Sequence, residues 1–169
     1  IHPSTLELIY ELGVLEEFLK RPHQEARELQ GLVNGRRVTF VDFSHLPTHC
    51  KFLALMPQWD FLDFLSGQAA KYPQFRLHMR TEMHSLIEES GRVVGVRAKG
   101  PQGDLEIRSA LVIGTDGRHS RVREAAGLKV RELGAPMDVL WMHLSRKESD
   151  PPEMMGILNH GQIFVMLYR

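Results

Sequence analysis

The residues with the most chemical potential lie in one run, Asp116-Gly117-Arg118-His119-Ser120-Arg121-Val122-Arg123. Asp116 can accept a hydrogen bond from a hydroxyl, Gly117 lets a ligand come close to the backbone, and Arg118, Arg121 and Arg123 add local positive charge. Ahead of the run, Ala110-Leu111-Val112-Ile113-Gly114 is apolar without alternation, the pattern of a strand buried on both faces. Behind it, Ser120 to Ala126 reads as a short helix closed by Gly127. Strand, tight turn and helix N-terminus is the arrangement in which an α/β sheet binds cofactors, with phosphate oxygens favoured at the helix end.

Other candidates are weaker. His45, His49 and Cys50 are zinc-ligand types, yet no fourth ligand follows at a sensible spacing, and Cys50 reads as a small buried filler. His78 and His84 would share a strand face only if the strand ran through Arg80-Thr81, where a break is expected. Met137, Met142, Met154, Met155 and Met166 read as core filling rather than the wall of an apolar cavity. The basic stretch from Arg118 to Arg131 has no interleaved aromatic residues, so it reads as a solvated face beside a dinucleotide pocket and not as a nucleic-acid surface. No Ser/His/Asp constellation or acid pair stands out.

The elements that must position the run are set by periodicity. Leu6, Ile9 and Leu12 predict a helix capped by Ser4, with Glu7 in its first turn, running to about Phe18 before Arg21-Pro22. Alternation over residues 29–43 around Asn34-Gly35 predicts a type I′ hairpin. Phe61, Leu62, Leu65 and Ala69 predict a second helix from Trp59 to about Lys71, between Pro57 and Pro73. A short strand is expected at Phe75–Met79. An antiparallel meander comes next within residues 82–109, turning at Ser90-Gly91-Arg92 and Pro101-Gln102-Gly103. Asp138 to Leu144 and Gln162 to Tyr168 read as strands of another sheet.

Composition sets the outer bounds. With 169 residues, 43% hydrophobic and 25% charged, the chain is long enough to bury a core and too apolar for a disordered tail. Twenty-one basic residues balance twenty-one acidic ones, so no global field draws it to nucleic acid or an anionic membrane. A single cysteine excludes an internal disulfide, no run approaches a membrane span, and a cytoplasmic protein is the expectation. The start at Ile1-His2-Pro3 and the stop at Arg169, directly after an apolar strand, suggest a piece of a longer protein.

The Asp116-to-Arg123 run resembles the second fingerprint of the flavin-dependent aromatic monooxygenases of the p-hydroxybenzoate hydroxylase family. The match extends to His2-Pro3-Ser4-Thr5-Leu6-Glu7-Leu8, similar to the helix start after that family's flavin-contacting loop, and to Pro57-Gln58-Trp59-Asp60-Phe61-Leu62, similar to its next helix start. The resemblance implies an α/β (α+β mixed) fold: a partial Rossmann-like FAD-binding domain with an antiparallel β-meander and the start of a substrate-binding β-sheet. Residues 1–128 would belong to the FAD/NAD(P)-binding part, hairpin and meander included, and 129–169 to the substrate-binding part. It also implies FAD as cofactor, contacted by Gln58, Asp116 and Gly117, and NAD(P)H as co-substrate on the side of Arg123 and His119. The activity implied is reduction of FAD, reaction with oxygen to a C4a-hydroperoxide, and hydroxylation of an aromatic or related small molecule. The family's Gly-x-Gly-x-x-Gly turn would lie before Ile1 and its late Gly-Asp motif after Arg169. Dehydrogenases, halogenases and prenyl-lipid reductases of the same fold, and a truncated non-catalytic binding module, are the alternatives.

Overall fold

The computed structural model describes residues 1–134, 137–142, 144–145, 147–149 and 155–166. These form two compact units, one of residues 1–75 with 144–169 and the other of residues 76–143.

The first unit begins with helices α1 (Pro3–Glu11) and α2 (Leu15–Leu19). Pro3 opens α1, where its missing N–H costs nothing, and His2 is the N-cap, so Ser4 lies inside the helix and not at its cap. Glu7 lies beyond the first turn. The expected single helix to Phe18 is broken at Gly13, whose φ of +71° is left-handed. The Gly13 N–H reaches the Tyr10 carbonyl and the Val14 N–H that of Ile9, a Schellman closure that turns the chain into α2.

Strands β1 (Gln24–Ala26), β2 (Glu28–Val33), β3 (Arg36–Asp42) and β4 (Leu53–Leu55) come next, then helix α3 (Gln58–Ala69) with Pro57 as its N-cap. The β2–β3 hairpin turns through Asn34 and Gly35 at φ +48° and +79°, the positive pair that a type I′ turn needs. β1 pairs antiparallel with β4. The core of this unit joins Leu6 and Ile9 of α1, Phe18 of α2, Phe64 of α3, and Cys50, Phe52, Ala54 and Met56. Phe18 meets the Phe64 and Phe61 rings edge-on at 5.3 and 5.9 Å. Phe64, rather than Leu62, carries the buried stripe of α3.

In the second unit the meander forms as expected: β5 (Glu82–Glu89), β6 (Arg92–Gly100) and β7 (Gly103–Arg108), all antiparallel, followed by helix α4 (Arg121–Ala125). Ile87 and Ala98 are buried in it. Back in the first unit, β8 (Met155–Asn159) and β9 (Gln162–Met166) form a second hairpin. β8 pairs in parallel with β2, which gives a four-stranded sheet in the order β3-β2-β8-β9.

Several expected elements differ. Phe75–Met79 and Ala110–Gly114 are not strands, and Leu111 and Ile113 are 71% and 72% exposed. Parallel strands take their hydrogen bonds from segments distant in sequence, and no strand among the described residues pairs with either stretch. Residues 138–142 and 144 likewise lie outside any strand, while residue 143 lies outside the described residues. For the second predicted strand, β9 ends at Met166 and residues 167 and 168 lie outside the described residues. Of the five methionines expected in a core, Met137, Met142 and Met166 are exposed, Met155 is half-buried, and Met154 lies outside the described residues.

Candidate functional site

Asp116 stands four residues before Ser120, and the chain between them folds back so that the two side chains meet. The Ser120 hydroxyl donates to Asp116 Oδ1 at 2.5 Å. Asp116 Oδ2 accepts the main-chain N–H groups of Arg121 at 2.7 Å and Val122 at 3.2 Å. Ser120, the N-cap of α4 and the buried polar residue of the turn, accepts the Arg123 N–H at 3.0 Å. The Ser120 hydroxyl, aided by the N–H groups of Val122 and Arg121, holds the Asp116 carboxyl below the usual carboxylate range against its partial desolvation.

This geometry corrects the expectation for the helix end. The first-turn donors of α4 are taken up by Asp116 and Ser120, so they do not await a phosphate, and the hydroxyl that Asp116 accepts from is its own neighbour's. Asp116 therefore shapes the turn. Its shape leaves Gly117 at φ +81° with open space where a Cβ would stand, so a ligand can approach the backbone there. The far end of α4 closes as expected at Gly127, φ +67°, with the Leu128 N–H returning to the Arg123 carbonyl.

Around the turn the positive charge is partly committed. The Arg123 guanidinium donates to the Arg118 carbonyl at 2.6 Å, which braces the turn from the helix side. Arg121 pairs with Glu82 of β5 at 2.7 Å, tying α4 to the meander. His119 is exposed at the tip. An exposed glycine turn flanked by Arg118, His119 and Arg123 suits an anionic dinucleotide, so the residues fit the group that the resemblance implies.

Asp116, Gly117, His119 and Arg123 are thus brought together in one turn-and-helix of the second unit. Gln58 belongs to the first unit, exposed at the first position of α3. Gly114 was not legible as part of the site: a Cβ there would stand 2.8 Å from the Val122 Cβ, so the glycine allows α4 to lie against the incoming chain. Ser120 belongs to the run read from the sequence, and its place four residues after Asp116 lets the two side chains meet.

The histidine and cysteine candidates separate. His45 faces Asp42 at 3.5 Å, His49 faces Glu7 at 2.7 Å, and Cys50 is buried, where desolvation pushes its thiol upward. Among the described residues no group of three or more such side chains could hold a metal ion. No helix among them is long and apolar enough to cross a membrane.

Several known proteins resemble this chain over most of its length. The chain is 32% identical over 146 residues to 6-methylpretetramide 4-monooxygenase of Streptomyces rimosus, covering 86% of this chain and 35% of that protein. Among solved structures it resembles OxyS anhydrotetracycline hydroxylase of Streptomyces rimosus, with 28% identity, a TM-score of 0.60, and coverage of 75% of this chain and 25% of that one. PqsL of Pseudomonas aeruginosa shares the fold at a TM-score of 0.66 and 19% identity, over 80% of this chain and 37% of its own. The chain spans about a third of the length of the first of these relatives. The family model described as an FAD binding domain matches residues 1–167, and the chain therefore belongs to that family, as a partial FAD-binding domain.

Proposed function

We propose that the protein to which this chain belongs is an FAD-dependent monooxygenase that uses NAD(P)H and oxygen to hydroxylate an aromatic small molecule. The observation that carries the reading is the FAD-binding match over nearly the whole chain, together with the relatives named as monooxygenase and hydroxylase. FAD, when bound, supplies the redox chemistry. The overall change balances as substrate C–H, oxygen, NAD(P)H and a proton giving substrate C–OH, water and NAD(P)⁺. The substrate proposed is an aromatic compound of the pretetramide or anhydrotetracycline kind, after the names of those two relatives.

The chain's own residues bind and orient. Asp116 and Gly117 form the FAD-side turn, Gln58 contacts the FAD from the start of α3, and Arg123 with His119 faces NAD(P)H. Residues 1–128, apart from the β2–β3 hairpin, are the cofactor side, and 129–169 begin the substrate side. The parallel β2–β8 pairing supports a substrate-side sheet that also takes in the earlier hairpin.

The test is the protein expressed from its natural gene, with its absorption spectrum, its NAD(P)H consumption and the product formed under ¹⁸O₂. Yellow protein and one labelled oxygen in the product are expected. A protein that stays colourless with added FAD would sink the proposal, and flavin turnover without label would move it to a dehydrogenase, halogenase or reductase of the same fold.

A further inference from the structure

Glu7, Tyr10 and His49 form a polar constellation within the first unit. Glu7 Oε2 accepts the main-chain N–H of His49 at 3.0 Å, and Oε1 faces His49 Nδ1 at 2.7 Å. The imidazole lies flat on the Tyr10 ring, with centroids 3.5 Å apart. A surface ion pair alone contributes little. The main-chain contact is different in kind, because it sets where the backbone at residue 49 sits against α1.

Beyond His49 the chain bends at Phe52 and then runs through β4 to the start of α3. Its alternate residues Cys50, Phe52, Ala54 and Met56 are all buried in the core of the first unit. A second grip comes at Ala54, whose N–H donates to the Ile1 carbonyl at 3.0 Å while the Ile1 nitrogen donates to the Ala54 carbonyl at 2.6 Å. Two residues after Met56 the chain enters α3 at Gln58. Because side chains alternate with period two, a slip of one residue would turn all four buried side chains outward. Grips at residues 49 and 54 from the α1 side act together with the β1 pairing of β4 to fix the register and so the point at which Gln58 emerges.

We infer that Glu7 is a positioning residue for Gln58, acting through the main chain of His49 to hold the segment that delivers Gln58 to the flavin. The inference rests on the proposed reading of Gln58 as an FAD contact. In the full-length protein, FAD affinity by flavin fluorescence, the visible flavin bands and the thermal midpoint are compared for Gln58→Ala, Glu7→Ala, their combination and Glu7→Gln. Each alanine variant is expected to weaken FAD about tenfold and to shift the flavin bands alike, with the combination no weaker than the worse single variant. Glu7→Gln, whose amide oxygen still accepts the His49 N–H, recovers most of the loss.

A lowered thermal midpoint with unmoved bands, or losses that multiply in the combination, would overturn the inference and leave Gln58 as an FAD contact. No effect of Gln58→Ala on affinity or bands would remove the Gln58 reading itself, and this inference with it. Should Glu7→Ala not accumulate as folded protein, Glu7→Asp replaces it, since it keeps the charge and shortens the reach by one methylene. The same band shift is then expected, and unchanged bands and affinity overturn the inference.

Discussion

Gly31 of β2 and Gly156 of β8 lie opposite each other across a parallel strand pair, yet they are not equivalent. A Cβ on Gly31 would stand 2.4 Å from the Gly156 carbonyl oxygen and 2.5 Å from the Phe40 ring, whereas one on Gly156 would meet nothing closer than 3.7 Å. The close approach that joins the two hairpins is therefore built on Gly31.

Gly31→Ala should destabilise the full-length protein by about 1–3 kcal/mol, the usual cost of forcing an extra group against fixed backbone. Gly156→Ala, at ordinary contact distances, should leave the urea midpoint nearly unchanged. Equal losses in the two variants would show that the asymmetry does not govern the pairing.

Ser120→Ala removes both the acceptor for the Arg123 N–H and the donor to Asp116. Loss of an N-cap serine costs about 1 kcal/mol. Hydrogen exchange should localise the loss to the α4 amides, with Arg123 the most affected.

Gly114→Ala would press a methyl group to within 2.8 Å of the Val122 Cβ, a contact that must shift either α4 or the chain entering the turn. A loss of about 1–3 kcal/mol is expected. In the FAD-bound protein the flavin bands should move as well, because the turn at Asp116 lies between the two contacting residues. Bands that stay fixed would separate the packing of α4 from the cofactor side.

The Asp116 carboxyl is held below its ordinary value of 3.8 by the Ser120 hydroxyl and the N–H groups of Val122 and Arg121. Glu7 is held below its ordinary 4.5 by the His49 main-chain N–H and then its ring. A depressed native value means that the stabilisation is complete above the ordinary value and is lost as pH falls through the lowered one. Stability measured from pH 6 downward should therefore be flat until the ordinary carboxylate range and fall below it. Asp116→Asn and Glu7→Gln should each make that acid limb shallower while leaving its onset on the acid side.

Much of the local structure was legible in the residues themselves. Asn34-Gly35 forms the I′ turn because both positions tolerate positive φ, and Ser120 and Gly127 bound α4 because each satisfies the orphan backbone groups of a helix end. The three meander strands needed only neighbours in sequence. The run from Asp116 to Arg123 was legible as a turn for the same reason, since it closes within eight residues.

Features that depended on distant partners were decided by tertiary structure. Ala110–Gly114 has strand composition but finds no pairing strand among the described residues, so composition alone does not make it one. Glu7 and His49 stand 42 residues apart, and no periodicity relates them. The parallel pairing of β2 with β8 joins hairpins more than a hundred residues apart, with a close backbone approach that Gly31 permits. Local hydrogen bonding and allowed φ angles are properties of a few successive residues and can be read from sequence. Register across a sheet and the occupancy of a carboxylate are set by chain segments that meet only when the core forms.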